Sequence, residues 1–484
     1  MVPKAYIWSA VEQVGRQGIR FALSIVLARL LSPAEYGLMG MMLVFLLIAQ
    51  AFVDCGFSMG LVQRKDITLD DETSIFWLNV VAGVVMAGLV CAVSPLVARF
   101  YDQPILVPML CVSSVGMVIG SLGIVQTALL TRQMDFRTQA KVTIASTVLS
   151  GAVGITMAWR GMGVWSLVGQ SLAQTMVGVT LLWKLSDWRP AGRFRWATIR
   201  AIWPFSSRLL ASGVMNTAFE NSYALVIGKL YSPADLGFYT RASTLTMLPA
   251  STTTTVIGRV TLPVFSRMQE DADGMRQKFR RILRVMASCY FPAMVCLAAM
   301  AEPLVRVLLT DKWLPCVPYF QVLCFSGMLY PVHALHLNVL MAQGRSDLFF
   351  RLEIVKKVLT VLALLATYRY GISAMVWGML VNSLICLVIN GYYTRRLLRY
   401  GWQSQARDLG GVFLIAVSVG GCVWLSRVIG IIQPIRELAM QALLASILAG
   451  IAFVTFRASL YREAWAVMSE SVGRVWGDKA KVMV

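Results

Sequence analysis

Charged side chains are scarce in this sequence: they make up 14% of its 484 residues, against about 25% in ordinary soluble proteins. Hydrophobic residues make up 57%, and no polar stretch is long enough to form a separate soluble domain. Apolar runs of about 20 residues, the length that crosses a bilayer as a helix, follow one another along the chain instead. The composition therefore argues against a soluble globular protein and predicts an all-α polytopic membrane protein.

Sequence motifs for several kinds of chemistry are also missing. The chain has no Walker motif, no G-x-S-x-G and no H-E-x-x-H, so we do not expect ATP hydrolysis or these hydrolase reactions. Its nine cysteines form no C-x-x-C pair, which argues against a disulfide framework and a structural metal. We therefore expect a protein that is not an enzyme and that carries no cofactor and no metal.

Acidic residues are few, with 24 Asp and Glu against 44 Lys and Arg, so the formal net charge is +20. The basic residues are dispersed in short clusters between apolar runs, which argues against nucleic-acid binding. Their excess after every second run predicts that both termini are cytoplasmic. Because Glu12, Arg16 and Arg20 interrupt the first run, it is not a signal peptide, and we expect it in the mature protein.

The apolar runs predict about 14 transmembrane helices. They cover residues 5–31, 36–62, 74–99, 105–130, 139–159, 163–185, 200–231, 236–266, 282–310, 316–342, 352–370, 373–396, 409–429 and 437–457. Proline removes a helix hydrogen bond, so we expect kinks or breaks at Pro204, Pro249, Pro263, Pro292 and Pro331.

A seven-residue motif occurs twice. Residues 31–37 read LSPAEYG and residues 231–237 read YSPADLG, so that Pro33 and Pro233 lie 200 residues apart. A second, shorter echo follows in the same order, with SPLV at 94–97 and EPLV at 302–305. Because six predicted spans separate each pair, both halves have the same orientation. This predicts two six-helix bundles related by a pseudo-two-fold axis along the membrane normal, facing one another across a central cavity.

The repeat divides the chain into five predicted parts. They are an N-terminal six-helix bundle (1–185), a basic cytoplasmic amphipathic linker (186–199), a C-terminal six-helix bundle (200–400), an extra helix pair (401–460) and a cytoplasmic tail (461–484). The linker contains tryptophan beside arginine, a composition typical of a helix that lies on the membrane surface.

Ionisable residues within the spans are candidate functional residues, since a charge at mid-membrane costs about 2.5–3.5 kcal/mol on insertion scales. The first span carries a polar stripe with a spacing of three and four residues, and the first span of the second half repeats it. We predict that four arginines bind an anionic substrate: Arg16, Arg20, Arg208 and Arg259. The polar or coupling candidates are Glu12, Asp54, Asn216, Glu220, His333 and His336.

Two alternatives remain open for these residues. The charges can form internal ion pairs, Glu12 with Arg16 and Arg208 with Glu220, although the arginines outnumber the carboxylates. The spacing of His333 and His336 is compatible with a metal, but no carboxylate or thiolate pair accompanies them. Structural hydrogen bonding and proton sensing are the two other interpretations of these histidines.

The motifs resemble those of a known family. The residues that carry the resemblance are GRQG at 15–18, ARLLSPAEYG at 28–37, VDCGF at 53–57, VQRK at 62–65 and YSPADLGFY at 231–239. The chain resembles the Wzx-type polysaccharide transporters, flippases of lipid-linked oligosaccharides. These belong to the multidrug/oligosaccharidyl-lipid/polysaccharide exporter superfamily, and the similarity is greatest to the branch of colanic-acid and exopolysaccharide exporters.

The resemblance implies a substrate and a location. The substrate is an undecaprenyl-pyrophosphate-linked oligosaccharide repeat unit for exopolysaccharide or lipopolysaccharide synthesis. It moves by alternating access across the bacterial inner membrane, and other polysaccharide assembly proteins are potential partners. Because nucleotide-binding motifs are absent, we expect a coupling ion, proton or sodium, or the membrane potential to drive transport. The four arginines suit a pyrophosphate, since guanidinium binds phosphate oxygens in bidentate fashion. The last two spans, outside the repeat, either form a groove for the lipid tail or dock on the second bundle.

Three other functions are compatible with part of this pattern. A flippase for the peptidoglycan precursor lipid II has the same fold and charge pattern. A drug exporter of the MATE type has the fold too, but its cavity is expected to be acidic. A membrane glycosyl polymerase or ligase commonly needs a large outward loop, whereas every outward loop predicted here is short.

Overall fold

The computed structural model describes residues 2–63, 67–426 and 433–456, without the side chains of 2–14, 16, 63, 449 and 451–456. Within these ranges the chain is almost entirely α-helical and has no strand. The helices are α1 (Val2–Leu30), α2 (Pro33–Asp54), α3 (Phe57–Gln63), α4 (Leu69–Tyr101), α5 (Leu106–Ser121), α6 (Ile124–Arg132), α7 (Phe136–Trp159), α8 (Trp165–Leu185), α9 (Trp196–Glu220), α10 (Ser222–Leu230), α11 (Pro233–Ser266), α12 (Ala272–Ala299), α13 (Ala301–Leu309), α14 (Val317–Gly327), α15 (Tyr330–Ala342), α16 (Ser346–Thr367), α17 (Ile372–Leu398), α18 (Trp402–Leu425) and α19 (Pro434–Phe456). Short 3₁₀ turns at Asp311–Cys316 and Tyr368–Tyr370 precede α14 and α17.

Within the described residues each predicted apolar run coincides with one helix or with consecutive helices. In the described residues seven helical stretches are long and apolar enough to cross a membrane, and α5 with α6, bent by 43°, make an eighth. The protein is thus a multi-pass membrane protein, while the count of 14 spans stays a prediction. Pro204, Pro249, Pro263 and Pro292 lie inside helices, whereas Pro331 lies in the first turn of α15.

The repeated motif marks two helix starts with the same local chemistry. Ser32 and Ser232 are the residues before α2 and α11, and each side chain accepts a hydrogen bond from the backbone N–H three residues later. The carboxylates of Glu35 and Asp235 accept in return from the serine backbone N–H, at 2.6 Å and 3.2 Å. Proline follows each serine, where its missing N–H costs nothing. The motif is therefore a capping box that starts a helix, and it follows from local sequence alone.

The chain forms two compact units, Met1–Thr240 and Arg241–Val484. In the first unit α1 packs on α7, α7 on α8, and α4 on α5, while α2 packs on α4, α5 and α9. Small residues let these helices approach closely. A Cβ on Gly151 of α7 would lie 2.4 Å from the side chain of Leu23 of α1. A Cβ on Gly83 of α4 would lie 2.9 Å from the hydroxyl of Ser121 of α5.

The linker differs from the expected surface helix, because residues 186–195 are not helical and α9 begins only at Trp196. Its polar groups bond to the first turns of α4 instead. The bonds run from Trp188 Nε1 to Glu72 (2.6 Å), from Gly192 N to Thr73 Oγ1 (3.0 Å), from Arg193 N to Asp70 (2.8 Å) and from Arg195 N to Ser74 Oγ (2.7 Å). In three of these bonds a side chain of α4 accepts from a backbone N–H that would otherwise form a hydrogen bond within a linker helix.

In the second unit the extra helix pair packs on neighbouring helices. Helix α18 packs on α12, and α19 packs on α13, α12 and α18. Cys296 and Ala299 of α12 share an apolar cluster with Val419 and Val423 of α18 and Ala445 of α19. At one end of α18 the carboxylate of Asp408 binds Arg280 of α12 through two guanidinium nitrogens. Of the two roles considered for these helices, docking is the one that these contacts support.

Candidate functional site

The polar stripe of the first span lies on α1, which packs on α7. Arg20 is exposed on this helix. The side chains of Glu12 and Arg16 lie outside the described residues, and so does the internal pair predicted between them. Arg20 is therefore the member of the α1 set for which the structure gives a side-chain position.

The second polar stripe lies on α9. Arg208, Asn216 and Glu220 are all exposed and follow one another in steps of four or eight residues. Each step of four turns the helix by about 40°, so Arg208 lies about 80° around the helix axis from Asn216 and about 120° from Glu220. The twelve residues between Arg208 and Glu220 span about 18 Å of helix at 1.5 Å per residue. This distance is too long for an ion pair, so the internal pairing of Arg208 with Glu220 does not occur in the continuous helix α9.

The other side of α9 borders an apolar groove of about 350 Å³. Phe52 of α2 lines it together with residues of α9, which are Ser207, Leu210, Ala211, Val214, Met215 and Ala218. At about 100° per residue, the groove-lining residues of α9 point roughly opposite to Asn216 and Glu220. Helix α9 thus carries an apolar face toward α2 and an opposite polar face with Asn216 and Glu220, and Arg208 lies at the border between the two faces.

Asp54 serves as a helix cap. It is the last residue of α2, is half-buried, and accepts hydrogen bonds from the backbone N–H (3.3 Å) and the hydroxyl of Ser58 in α3. Gly56 between the helices has a φ of +72°, and a Cβ there would lie 3.1 Å from Cβ of Leu209. The short turn after Asp54 therefore seats α3 against α9, and both carboxylate bonds described here serve that turn.

Arg259 is exposed on the part of α11 that belongs to the second unit. Arg16, Arg20 and Arg208 belong to the first unit. The predicted phosphate-binding set is therefore distributed over both compact units, and its assembly around one substrate stays a prediction.

The starts of α2 and α11 touch in a reciprocal way that the sequence alone did not reveal. A Cβ on Gly37 would lie 1.6 Å from the carbonyl oxygen of Pro233, and one on Gly237 would lie 1.9 Å from the carbonyl oxygen of Pro33. Both positions lie within the first compact unit. Because any side chain would overlap the facing backbone, only glycine permits this contact.

Further contacts hold this end of the first unit. Lys229 of α10 forms an ion pair with Asp102, the residue after α4, at 3.1 Å. A Cβ on the preceding Gly228 would lie 2.9 Å from the ring of Tyr101. The end of α10 thus packs on the end of α4, beside the crossing of α2 and α11.

The two histidines lie in a polar cluster in the second unit. Asn390 Nδ2 lies 3.0 Å from His333 Nδ1, and His333 Nε2 lies 3.0 Å from Ser383 Oγ. His336 Nδ1 lies 2.7 Å from Thr394 Oγ1, and its side chain is buried. Sequence reasoning selected both histidines but missed the α17 residues, whose spacing of seven and four places them on one face of that helix.

A charged pair on α16 lies near this cluster. Lys356 Nζ contacts Glu353 at 3.1 Å, with side chains 16% and 31% exposed. The described residues contain no group of three or more His, Cys, Asp or Glu side chains arranged to hold a metal. The contacts that the structure gives these two histidines are hydrogen bonds to side chains of α17.

Comparison with sequences of known proteins finds several similarities. The model of a family described as "Polysaccharide biosynthesis protein" matches residues 26–318. The teichuronic acid biosynthesis protein TuaB of Bacillus subtilis is 26% identical, over 77% of this chain and 78% of its own. The lipopolysaccharide biosynthesis protein WzxC of Escherichia coli is 27% identical, over 79% and 78%. The succinoglycan biosynthesis transport protein ExoT of Rhizobium meliloti is 27% identical, over 84% and 81%.

Comparison with solved structures identifies the fold. The lipid II flippase MurJ in an inward closed conformation superimposes with a TM-score of 0.75 at 11% identity, over 95% of this chain and 99% of that one. An inward-facing multidrug resistance transporter of the MATE family gives 0.62 at 13%, over 81% and 98%. These likenesses confirm the predicted fold class, and at such identities they show the fold alone.

Proposed function

Because this chain belongs to the family of polysaccharide biosynthesis proteins, we propose that it is a flippase for an undecaprenyl-pyrophosphate-linked oligosaccharide repeat unit. The observation that carries the proposal is the family match, on a chain with the fold of a flippase. Relatives named for lipopolysaccharide and teichuronic acid synthesis and for succinoglycan transport support a polysaccharide precursor as the substrate.

The polar face of α9 supports recognition of such a head group. Arg208 is exposed at the border of this face, eight residues and about 80° around the helix axis from the exposed Asn216. A guanidinium binds two phosphate oxygens at once, and an amide hydrogen-bonds sugar hydroxyls. We propose that Arg208 acts with Arg16, Arg20 and Arg259 as the phosphate-binding set of an arginine-rich translocation path.

The energy source and setting are part of the proposal. The chain acts as a transporter without enzymatic activity and moves its substrate from the cytoplasmic to the periplasmic leaflet of a bacterial inner membrane. Both termini are cytoplasmic, an ion gradient drives alternating access, and other polysaccharide assembly proteins receive the product. Absence of nucleotide-binding motifs from the sequence supports an ion rather than ATP as the driving force.

The decisive experiment is mass spectrometry of lipid-linked sugars in a strain from which the gene is deleted. We expect a complete undecaprenyl-pyrophosphate-linked repeat unit to accumulate, and the chain supplied in trans to remove it. Accumulation of incomplete units only, or of polymer already outside, would refute a flippase. In a strain that carries Arg208→Ala, the membrane level of the variant protein is measured in parallel. This measurement separates loss of substrate binding from loss of the protein.

Transport of lipid II is the second candidate, favoured by the superposition on MurJ. At 11% identity the superposition supports a shared fold alone and carries no information about the substrate. Complementation of a strain depleted of its own lipid II flippase separates the two functions. Growth restored by this chain would favour lipid II, and failure at a normal membrane level would favour the polysaccharide precursor.

A further inference from the structure

The two histidines of this chain are three residues apart on α15, yet their ring nitrogens are used differently. Both ring nitrogens of His333 have a hydrogen-bonding neighbour. His336 has one for Nδ1, whereas its Nε2 has no hydrogen-bond partner among the described residues. The His336 side chain is 1% exposed. A buried polar atom without a partner calls for an explanation.

The neighbours of His333 fix its neutral form. The amide nitrogen Nδ2 of Asn390 donates to Nδ1, so Nδ1 carries a lone pair. The single proton of neutral His333 then lies on Nε2, where it is donated to Ser383 Oγ at 3.0 Å. With both nitrogens satisfied, His333 has a structural role in joining α15 to α17.

The neighbours of His336 fix the opposite form. The hydroxyl of Thr394 donates its proton to the backbone carbonyl of Asn390 at 3.2 Å. Its oxygen therefore accepts from His336 Nδ1–H at 2.7 Å. The neutral ring has only one proton, so Nε2 of His336 carries a lone pair. This basic nitrogen is buried without a donor among the described residues.

A second acceptor is buried in the same cluster. The side-chain oxygen Oδ1 of Asn390 has no hydrogen-bond partner among the described residues, and the residue is 1% exposed. The lone pair on Nε2 of His336 is therefore a buried position to which a proton can add. We propose that Nε2 of His336 is the atom that binds the coupling proton during transport, an inference that rests on the proposed function.

The charged and titratable groups around His336 make its protonation consequential. From α16 come Lys356 and Glu353, paired at 3.1 Å, and from α15 itself comes His333. Helix α12 contributes the ring of Phe279, 5.1 Å from the His336 ring. The Phe279 ring also contacts the ring of Tyr400. The hydroxyl of Tyr400 donates a hydrogen bond to Asp408, which in turn pairs with Arg280.

A proton on His336 repels the ammonium of Lys356 and attracts the carboxylate of Glu353. Because Lys356 and Glu353 form an i,i+3 pair within α16, a proton on His336 of α15 changes the electrostatic interaction between these two helices. Proton binding is in this way linked to the interaction between two helices, which is the property that a coupling site needs.

The first test measures the protons directly, since the chain has only two histidines. Protein labelled with ¹⁵N-histidine in lipid nanodiscs gives two imidazole signals, which His333→Gln and His336→Gln variants assign. We expect Nε2–H in His333 and Nδ1–H in His336 at neutral pH, with His336 alone gaining a proton as the pH falls. Nε2–H in His336, or a second proton on His333 first, would overturn the proposal. No substrate is needed, so the result is independent of flipping.

The second test measures coupling in liposomes, with an undecaprenyl-pyrophosphate-linked disaccharide as the probe. We expect a proton gradient to accelerate flipping by the unsubstituted protein and by the His333→Gln variant, and to have no effect on the His336→Gln variant. A His336→Gln variant that responds like the unsubstituted protein overturns the inference and leaves the flippase proposal intact. Liposomes in which no variant moves the probe refute the proposed function and leave the NMR result standing.

A third variant keeps the test valid when His336→Gln fails to fold. Thr394→Val preserves the size of the side chain and removes the oxygen that accepts from His336 Nδ1–H. We expect the His336 signal in this variant to become a mixture of both neutral forms. An unchanged Nδ1–H signal would show that Thr394 does not set the proton position, against the proposal.

Discussion

Gly37 and Gly237 occupy equivalent positions in the repeated motif, and each lies against the proline that opens the helix of the other. Because residue 37 contacts residue 233 while 237 contacts 33, the contact has the form of an isologous interface. A local pseudo-two-fold axis therefore passes between the starts of α2 and α11. The two copies of the repeated motif therefore contact one another. Glycine is the residue of the motif that lets the two backbones come this close.

Replacing Gly37 by alanine is expected to lower the thermal unfolding midpoint of the detergent-solubilised protein. The added Cβ overlaps the Pro233 carbonyl, and overpacking of this kind costs about 1–3 kcal/mol. Gly237→Ala is expected to act in the same direction. Gly88→Ala on α4 is the matched control, because a Cβ there meets nothing within 4 Å. Equal midpoints for Gly37→Ala and Gly88→Ala would show that the helix starts do not touch.

Arg20→Ala and Arg208→Ala are expected to abolish export of the repeat unit while the protein still inserts at normal levels. Lysine at either position is expected to restore export only in part, since it loses the bidentate geometry of guanidinium. Export is followed by mass spectrometry of lipid-linked sugars, with the exposed Arg160→Ala as the control. A structural role predicts instead that Arg208→Ala lowers the amount of folded protein. Normal export by well-folded alanine variants would reject the phosphate-binding set.

Asp408→Asn is expected to destabilise the docking of α18 on α12 far more than Asp347→Asn destabilises its own helix. The Asp408 side chain is 7% exposed, whereas both partners of the Arg345–Asp347 pair are about half exposed. Breaking a fully buried pair costs about 3–5 kcal/mol, and the 43% exposure of Arg280 reduces that figure. Thermal unfolding of both variants is the measurement, and equal effects would contradict the assignment of Asp408 as the docking contact.

Stability near Asp135 is expected to fall at acidic pH. A hydrogen bond from Thr138 at the start of α7 lowers the pKa of the Asp135 carboxyl. A carboxyl whose pKa is lower in the folded state than in the unfolded state stabilises the fold at pH values above the unfolded-state pKa, which is near 3.9. This stabilisation is lost as the pH falls through the folded-state pKa. Asp135→Asn keeps a capping side chain, so unfolding midpoints measured between pH 3 and 6 are expected to vary less. A parallel pH dependence in both proteins would argue against this cap.

Reporter fusions after residues 33 and 233 are both expected to read periplasmic. The two positions are equivalent in the repeat, and an even number of predicted spans separates them. Alkaline phosphatase and green fluorescent protein are the two complementary reporters. Fusions after residues 133 and 345, in loops predicted to be cytoplasmic, provide the opposite readout. Different readings at 33 and 233 would remove the parallel relation between the two halves.

The sequence by itself determined that the chain forms apolar membrane helices, and at Ser32 and Ser232 it also set the start of a helix. Apolar runs separated by basic loops specify membrane helices because burial in lipid depends on composition over about 20 residues. The capping boxes at Ser32 and Ser232 are likewise local, since each bond joins residues three apart. For this reason the fold class and the repeat were predictable from residue order alone.

The tertiary structure decided how those helices use their polar atoms. Distance along α9 excludes the Arg208–Glu220 pair, and acceptors on α4 hold residues 186–195 out of a helix. The difference between His333 and His336 comes from Ser383, Asn390 and Thr394, which lie about 50 residues away in the chain. Such partners are set by packing between helices, and no spacing along a single helix encodes which nitrogen is left with an open lone pair.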